Sequence, residues 1–176
     1  METENSKRNI VLIGMAGSGK STVGRELAAQ LGRAFVDVDA VIEEVHKTPL
    51  QRLLNDLGLQ GFRRIEEEVL LNMDRKEHVI ATGGSAVYSQ AGMDHLRKSS
   101  VFVLLEVDIE TLKERVGDFS DRGLVKAEGQ SFEDVYEERQ PLYRRNADIV
   151  VDCSGRPVPE ICSSIVEQIS DSGYHF

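Results

Sequence analysis

The strongest chemical signal in this sequence lies at residues 14–21, which read GMAGSGKS. The segment matches the pattern G-x-x-x-x-G-K-[ST], whose glycines let successive backbone N–H groups point at phosphate oxygens. The lysine adds positive charge at the outer phosphates, and the serine hydroxyl is a ligand for Mg²⁺. An apolar run precedes the motif and a helix-period stretch follows it, which is the context that this chemistry needs. The sequence therefore predicts a site for a nucleoside triphosphate such as ATP and for Mg²⁺, formed by Gly14, Gly17, Ser18, Gly19, Lys20, Ser21 and Thr22. A kinase, an NTPase switch and an ATP-driven motor could all carry this loop, and a glycine-rich turn with an incidental lysine is the remaining alternative.

Two aspartates, Asp37 and Asp39, follow the second apolar run in the segment FVDVD. On an extended segment, carboxylates two residues apart point to the same side. One of them would hold a Mg²⁺-bound water, and the other would accept a hydrogen bond or a proton from the hydroxyl that receives the phosphoryl group. A solvated acidic turn before a helix is the alternative interpretation of this pair.

Two further segments are candidates for the acceptor site. Arg63 and Glu66 lie three residues apart on a stretch with helical spacing, so a glutamate would hold an arginine as a fork for a substrate carboxylate. Gly83, Gly84 and Ser85 follow the third apolar run, where small residues allow the backbone to approach a ligand closely. The alternatives are an ordinary charged helix face and a plain tight turn.

Three more arginines are candidates for binding the nucleotide or the acceptor. Arg122 lies in a polar, glycine-rich stretch at 117–131, where a closing lid would add positive charge to the transition state and exclude water. Arg115 ends the helical stretch before it and could stack on a base, and Arg139 precedes the sequence QPLY. A surface ion pair is the alternative for each of them.

Predicted strands and helices alternate along the chain, and they carry the candidate residues described above. Five apolar runs predict buried strands because they lack polar alternation, and they cover 9–13, 34–37, 79–82, 101–107 and 148–152. Helical spacing appears at 22–31, 62–73 and 109–116, and again from Val158 to the C-terminal end. Residues 40–61 have helical apolar positions without a strand, which predicts a small helical lobe. The alternation predicts an α/β fold whose parallel sheet is covered on both faces.

Composition excludes several classes of protein. The chain has 176 residues with a formal net charge of −9, which predicts one domain over 1–176 and argues against a broad basic face for nucleic acid. No apolar run approaches the roughly 18 residues of a membrane span, and the N-terminus lacks the apolar core of a secretory signal. Cys153 and Cys162 match no metal-ligand spacing and are expected to be reduced thiols. We therefore expect a cytoplasmic protein that binds neither nucleic acid nor membrane.

Taken together, these motifs resemble those of the shikimate kinases, small members of the nucleoside monophosphate kinase-like P-loop fold. The resemblance covers roughly residues 8 to 170 and rests on GMAGSGKSTVG, FVDVDAVIEE, GFRRIEEEVL, ATGGSAV and ERQPLY, in that order. It implies a P-loop kinase three-layer sandwich whose five-stranded parallel sheet has the order 2-3-1-4-5, with a helical substrate lobe at about 38–66 and a lid at about 117–131. It also implies ATP-dependent phosphorylation of the 3-hydroxyl of shikimate, in aromatic amino-acid biosynthesis. We expect a monomer.

The resemblance also implies roles for single residues. The residues that it places on shikimate are Asp39, Arg63, Gly84 and Arg139, beside Gly83 and Ser85. It places both arginines on the carboxylate and gives Asp39 the task of polarising the attacking hydroxyl. For the nucleotide and its metal, the implied residues are Lys20 and Arg122 on the phosphates, Arg115 on the adenine, and Ser21 and Asp37 on Mg²⁺. The catalytic set is then Lys20, Asp39 and Arg122.

Three positions depart from the family's usual pattern. Ser85 stands where the family usually has a third glycine, Gly123 follows the lid arginine in place of proline, and Leu59 follows Gly58 in place of glutamate. Each change concerns the acceptor or the lid rather than ATP. They leave open a kinase of the same fold that acts on another small hydroxy acid, such as homoserine or gluconate. A non-catalytic nucleotide-binding module is the third alternative, although such a module has no use for a second anion site.

Overall fold

Five short parallel strands form the sheet. A computed structural model describes residues 9–116 and 124–174. The strands are β1 (Asn9–Ile13), β2 (Ala34–Asp37), β3 (His78–Ala81), β4 (Ser100–Glu106) and β5 (Ile149–Asp152). Their order is β2-β3-β1-β4-β5, and every neighbouring pair is parallel. The predicted order is therefore confirmed, and the predicted strand limits differ from the observed ones by no more than one residue.

The helices cover both faces of this sheet. Over the described ranges they are α1 (Lys20–Leu31), α2 (Val38–His46), α3 (Leu50–Leu71), α4 (Gln90–Arg97), α5 (Ile109–Val116), α6 (Phe132–Asn146) and α7 (Val158–Asp171), with a 3₁₀ turn at Ala86–Tyr88. The right-handed crossover from β1 to β2 carries α1 across β3, where the two are in contact. The crossover from β3 to β4 runs the other way along the sheet, so α4 lies on the opposite face, and α7 returns to pack against α1.

The interior is made of apolar side chains from the two central strands and the helices that cover them. Residues 10–13 of β1 and 101–105 of β4 are at most 1% exposed, as expected for strands covered on both faces. Cys153 and Cys162 are buried and unpaired, and burial raises the pKa of the Cys153 thiol to about 12. Along the described ranges, no helix combines the length and the apolar composition that a membrane crossing needs.

The loop that joins β1 to α1 brings a helix N-terminus to the end of the central strand. Gly17 has a φ of 83°, and a Cβ built there would lie 2.4 Å from Cγ2 of Val116. A residue with a side chain would therefore be strained both by its backbone and by this contact. Because the loop turns so tightly, α1 begins at Lys20, directly beside the end of β1.

Residues 38–71 form α2 and α3, and the predicted helical lobe corresponds to α2 and the first half of α3. The side chain of Asp37 caps α2 by accepting a hydrogen bond from the Asp39 N–H at 3.1 Å. Helix α3 contains a break at Gly58, where φ is 68° and ψ is 177°. Only glycine adopts that combination readily, so the break divides α3 into a first half in the lobe and a second half that packs on the core.

Two helices, α4 and α6, have no counterpart among the predicted elements. The buried positions of α6 do follow a helical stripe, but three of its five members are Arg139, Tyr143 and Asn146. A hydrophobic pattern cannot reveal a stripe in which polar residues occupy the buried positions. Pro141 inside α6 hides the helix further, because proline is usually a signal that a helix ends.

Candidate active site

A cavity of about 280 Å³ lies at the carboxyl ends of the strands, where parallel α/β sheets bind their ligands. The predicted site residues that line it are Gly17, Gly19, Lys20, Ser21, Thr22, Asp37, Asp39, Gly83, Gly84, Ser85 and Arg139. Two other predicted residues, Gly14 and Ser18, shape the loop around Lys20, which donates to the Gly14 carbonyl and to the Ser18 hydroxyl. The structure thus brings predicted residues from four separate segments of the chain to one cavity.

Lys20 supplies the positive charge of the glycine-rich loop. Its Nζ donates to the carbonyl oxygens of Gly14 and Met15, at 2.8 Å each. Burial lowers the pKa of Lys20 to about 8, although the carboxylates of Asp39 and Asp37 favour its charged form. The ammonium group is therefore held in the loop by neutral acceptors, and a phosphate would offer it a charged one.

Ser21 and Asp37 meet where a metal bound to the phosphates would lie. The Ser21 hydroxyl donates to Oδ2 of Asp37 at 2.6 Å. No group of three or more acidic, histidine or cysteine side chains suited to a metal is present among the described residues. One hydroxyl and one carboxylate suit Mg²⁺, which usually keeps several waters and takes its other ligands from substrate phosphates.

Asp39 lies at the start of α2 rather than on an extended segment. The prediction that Asp37 and Asp39 share one extended stretch is wrong, since β2 ends at Asp37 and α2 begins at Val38. Both carboxylates still line the cavity. Burial and, to a smaller extent, the negative charge of Asp37 raise the pKa of Asp39 to about 6, although the charge of Lys20 opposes the shift. A carboxylate with this pKa is ionised at pH 7 and can accept a proton.

Glu66 is bound by Ser85, contrary to the expectation that it holds Arg63. The Ser85 hydroxyl donates to Oε2 of Glu66 at 2.6 Å, and Oε1 has no hydrogen-bond partner among the described residues. A Cβ built on Gly83 would lie 2.7 Å from this Oε1 and 2.6 Å from Oδ1 of Asp39. The two carboxyl groups therefore approach the same point on the backbone. Burial, which leaves Glu66 only 2% exposed, raises its pKa to about 7.

Arg139 is a buried guanidinium group at the acceptor end of the cavity. It is 2% exposed, its Nη2 donates to the carbonyl of Val125, and its Nε donates to the Tyr88 hydroxyl at 3.4 Å. Within the described ranges, no carboxylate lies at ion-pair distance from it. A buried charge without an ionic partner is costly, so this position favours an anionic ligand.

Arg63 and Arg139 both lie close to the ring of Tyr88. The guanidinium carbon of Arg63 is 3.9 Å from the centre of the Tyr88 ring, and that of Arg139 is 5.4 Å from the same centre. Nε of Arg63 is buried, without a hydrogen-bond partner in the described part of the chain. Although Arg63 does not line the cavity as the structure has it, the two arginines are neighbours, as an arginine pair on one carboxylate would have to be.

The two remaining arginines have different outcomes. Arg115 donates to the Gly17 carbonyl at 3.5 Å and to the Cys153 carbonyl at 3.4 Å. It therefore lies between the phosphate loop and the loop after β5. Arg122 lies outside the described residues, together with Gly123 and the first part of the predicted lid.

The sequence did not reveal two tyrosines at this site. The Tyr143 hydroxyl donates to the carbonyl of Gly84 at 2.6 Å and so holds the glycine turn. It lies four residues after Arg139, a spacing that would have placed both on one face had α6 been recognised as a helix. Tyr88 had no detectable signal, because Arg63 and Arg139 are far from it in the sequence.

Comparison with known proteins decides the family. The sequence model of the shikimate kinase family matches residues 16–170. The chain belongs to the shikimate kinase family. It is 35% identical over 164 residues to the shikimate kinase of Thermodesulfovibrio yellowstonii, with 92% of this chain and 94% of that protein covered. It is 36% identical over 168 residues to the shikimate kinase of Vibrio parahaemolyticus, with 94% and 98% covered.

Solved structures of the family share the fold. The shikimate kinase from Acinetobacter baumannii in complex with shikimate has a TM-score of 0.87 and 32% identity, and 95% of each chain is covered. Shikimate kinase from Aquifex aeolicus has a TM-score of 0.81 and 30% identity, with 94% of this chain and 98% of that chain covered. The expected P-loop kinase fold is therefore confirmed for this member of the shikimate kinase family.

Proposed function

We propose that the protein transfers the γ-phosphoryl group of ATP to the 3-hydroxyl of shikimate. Membership of the family and the solved complex of a relative with shikimate support the choice of substrate. The single observation that carries the proposal is the buried Arg139, which has no carboxylate partner at ion-pair distance among the described residues and lines the same cavity as Lys20. A cavity with an anion-binding group at each end suits a kinase whose acceptor is itself an acid.

The acceptor is held by groups at the end of the cavity away from α1. Arg139, joined by Arg63, forms charge-assisted hydrogen bonds with the substrate carboxylate. The backbone of Gly83 and Gly84 borders the ring of the bound shikimate, because the absence of side chains at these two residues leaves room beside Asp39. Asp39 then lies next to the hydroxyl that attacks. It accepts the proton of that hydroxyl as the new oxygen–phosphorus bond forms and the bond from the γ-phosphorus to the bridging oxygen of ADP breaks.

The phosphates are held by the loop and by Lys20. Backbone N–H groups of the loop and the N-terminus of α1 face the anion, and the Nζ of Lys20 stabilises the charge that develops on the transferred group. Ser21 and Asp37 would hold Mg²⁺, which supplies further neutralisation of the phosphate oxygens when it is bound. Arg115 stacks on the adenine, and Arg122 closes over the phosphates with the lid.

The structure bears on the alternative of a different hydroxy-acid acceptor. That alternative depended partly on a free hydroxyl at position 85. The Ser85 hydroxyl instead donates to Glu66, so it is not available as a donor to a more polar acceptor. This observation favours shikimate over homoserine or gluconate.

A coupled assay of ADP release tests the proposal. The enzyme is supplied with ATP and Mg²⁺ and with shikimate, homoserine or gluconate in separate reactions. We expect turnover with shikimate to exceed turnover with the other two acids by at least about 100-fold, since an acceptor must fit the arginines and Asp39 together. Preference for another acid would refute the choice of acceptor, and equal ATP hydrolysis with all three would refute the kinase assignment.

A further inference from the structure

Tyr88 joins two elements that carry the arginines of the proposed carboxylate site. Arg63 comes from α3 and Arg139 from α6, whereas Tyr88 ends the 3₁₀ turn that follows the Gly83–Gly84 pair. The ring centre is 3.9 Å from the guanidinium carbon of Arg63 and 5.4 Å from that of Arg139. The electron-rich face of an aromatic ring attracts cations, so one ring can keep two like charges close together.

The hydroxyl of Tyr88 extends the same arrangement to α6. It donates to Oε1 of Glu138 and accepts a hydrogen bond from Nε of Arg139 at 3.4 Å. Burial and the hydrogen bond to Glu138 raise the pKa of Tyr88, so the hydroxyl keeps its proton. Oε2 of Glu138 accepts a hydrogen bond from Nε2 of Gln130 at 2.8 Å. Tyr88 is thereby also connected through Gln130 to residues 124–131, the described part of the predicted lid.

The ring of Tyr88 is a close contact of the Arg63 guanidinium. Nε of Arg63 has no hydrogen-bond partner in the described part of the chain, and Glu66 is bound to Ser85 instead. The charges of Glu66 and Glu138 attract Arg63, and the ring, at 3.9 Å, restricts where the guanidinium lies. A long side chain that is free to rotate would lose conformational entropy on binding a carboxylate, and a ring that restricts it beforehand reduces that loss.

We propose that Tyr88 is a positioning residue for the acceptor, whose ring orients Arg63 and whose hydroxyl orients Arg139 so that both guanidinium groups bind one carboxylate. The proposal rests on the proposed function, because it concerns the carboxylate of the phosphorylated acid. It predicts that Tyr88 affects the KM for the acceptor and leaves the KM for ATP unchanged.

Two variants separate the ring from the hydroxyl. Tyr88→Phe keeps the ring and removes the hydrogen bonds to Arg139 and Glu138, so we expect the KM for shikimate to rise about 3- to 10-fold. Tyr88→Met keeps most of the volume and removes the ring as well, so we expect a rise of about 10- to 100-fold. The KM for ATP should stay within about twofold in both variants, since neither group reaches the loop of Lys20.

Tyr136→Phe is the matched control. Tyr136 lies on α6, and its hydroxyl donates to the carbonyl of Val107 at 3.4 Å rather than to a group of the acceptor site. Its removal should leave the KM for shikimate unchanged, and thermal unfolding of all three variants shows whether each is folded. The proposal is overturned by an unchanged KM for shikimate in either Tyr88 variant, or by an equal rise in the KM for ATP, which would indicate a merely structural role.

The proposed function and the proposed role of Tyr88 are tested by separate measurements, made in a fixed order. Turnover of shikimate by the unaltered enzyme comes first and tests the function alone. If homoserine or gluconate proves to be the acceptor instead, the same comparison of KM values is made with that acid, because Tyr88 is proposed to act on the carboxylate. The inference about Tyr88 thus succeeds or fails independently of the identity of the rest of the acceptor.

Discussion

Three charged side chains are buried around the cavity: Lys20, Glu66 and Arg139 are 9%, 2% and 2% exposed. Burial of a charge is unfavourable unless a partner compensates for it. Among the described residues, Lys20 donates to neutral acceptors, and Arg139 donates to a carbonyl and a tyrosine hydroxyl. Each of these cations therefore gains more binding free energy from an anionic ligand than a solvent-exposed residue would. The binding of anions to the cavity depends on these individual buried charges.

Replacement of Lys20 tests the phosphate end of the cavity. Lys20→Ala removes the positive charge beside the transferred group, so we expect kcat to fall at least about 100-fold. The ADP-release assay with saturating shikimate measures this. Lys98→Ala, at an exposed position after α4, is the control and should have the activity of the unaltered enzyme. Substantial turnover by Lys20→Ala would remove Lys20 from the mechanism.

Glu66 should make stability depend on pH. Its pKa is raised from 4.5 to about 7 by burial, so the folded state resists its ionisation more than the unfolded state does. The stabilising contribution of protonated Glu66 is therefore fully present below the pKa of the unfolded state, and it is lost as pH rises toward the pKa of the folded state. Glu66→Gln removes this loss, and we expect it to be more stable than the unaltered protein by about 1–3 kcal/mol at about pH 8, with little difference at about pH 4.

Urea unfolding at the two pH values measures this difference. Glu68→Gln serves as the control, since Glu68 is an exposed residue of the same helix and should show no such dependence. Equal stability of Glu66→Gln and the unaltered protein at about pH 8 would mean that Glu66 ionises in the folded state without cost.

At the scale of elements, short segments serve the site and the fold together. Asp37 ends β2, caps α2 and accepts a hydrogen bond from Ser21. The capping box of Ser131 and Asp134 starts α6 and thereby fixes the position of Arg139 two turns further on. The break at Gly58 lets one run of helical sequence form both the lobe and a core helix. The site depends on where these elements begin and end.

The break in α3 gives a prediction at this scale. Gly58→Ala places a side chain at φ 68° and ψ 177°, so we expect a loss of about 1–3 kcal/mol in the free energy of unfolding. Because the lobe carries Asp39 on α2, the KM for shikimate should rise as well. Gly32→Ala is a matched control: its φ is 64°, and no atom lies within 4 Å of an added Cβ. It should lose stability without a change in KM.

These results are read from urea unfolding and from the assay. If Gly58→Ala changes neither stability nor the KM for shikimate, the helix tolerates an ordinary residue at the break. The structural account of the lobe would then be wrong.

In the molecule as a whole, Arg97 contacts several helices and strands away from the cavity. Arg97 at the end of α4 donates to the Asn146 carbonyl at 2.6 Å and forms an ion pair with Asp148 at 3.2 Å. Its guanidinium carbon is 4.6 Å from the ring centre of Phe102 on β4. Asp148 in turn accepts a hydrogen bond from the Phe102 N–H at 2.8 Å. These contacts connect α4, the end of α6 and the two last strands.

We expect Arg97→Ala to destabilise the fold without affecting catalysis. The loss of a charged hydrogen bond, an ion pair and a ring contact should lower the free energy of unfolding by about 1–3 kcal/mol. The KM values for ATP and shikimate should remain within about twofold. Arg52→Ala is the comparison, because its ion pair with Asp56 is exposed and should contribute less than about 0.5 kcal/mol. Equal stability of the two variants would contradict the tying role of Arg97.

The sheet and the phosphate loop of this protein could be predicted from the sequence alone. Buried parallel strands are continuous apolar runs, and the glycine-rich loop needs fixed residue types at fixed spacing, so both are visible locally. The position of Arg139 on a helix was not visible, because polar residues fill the buried stripe of α6 and Pro141 interrupts its pattern.

The contacts among side chains at the acceptor end of the cavity could not be predicted and are known from the folded structure. The spacing of Arg63 and Glu66 predicted that the two would pair, but Ser85 binds Glu66 and Tyr88 binds Arg63. Both partners come from the turn after β3, about 20 residues along the chain, and such contacts follow from packing rather than from local spacing. Motifs set which groups are present, and the packing of helices on the sheet sets which of them meet.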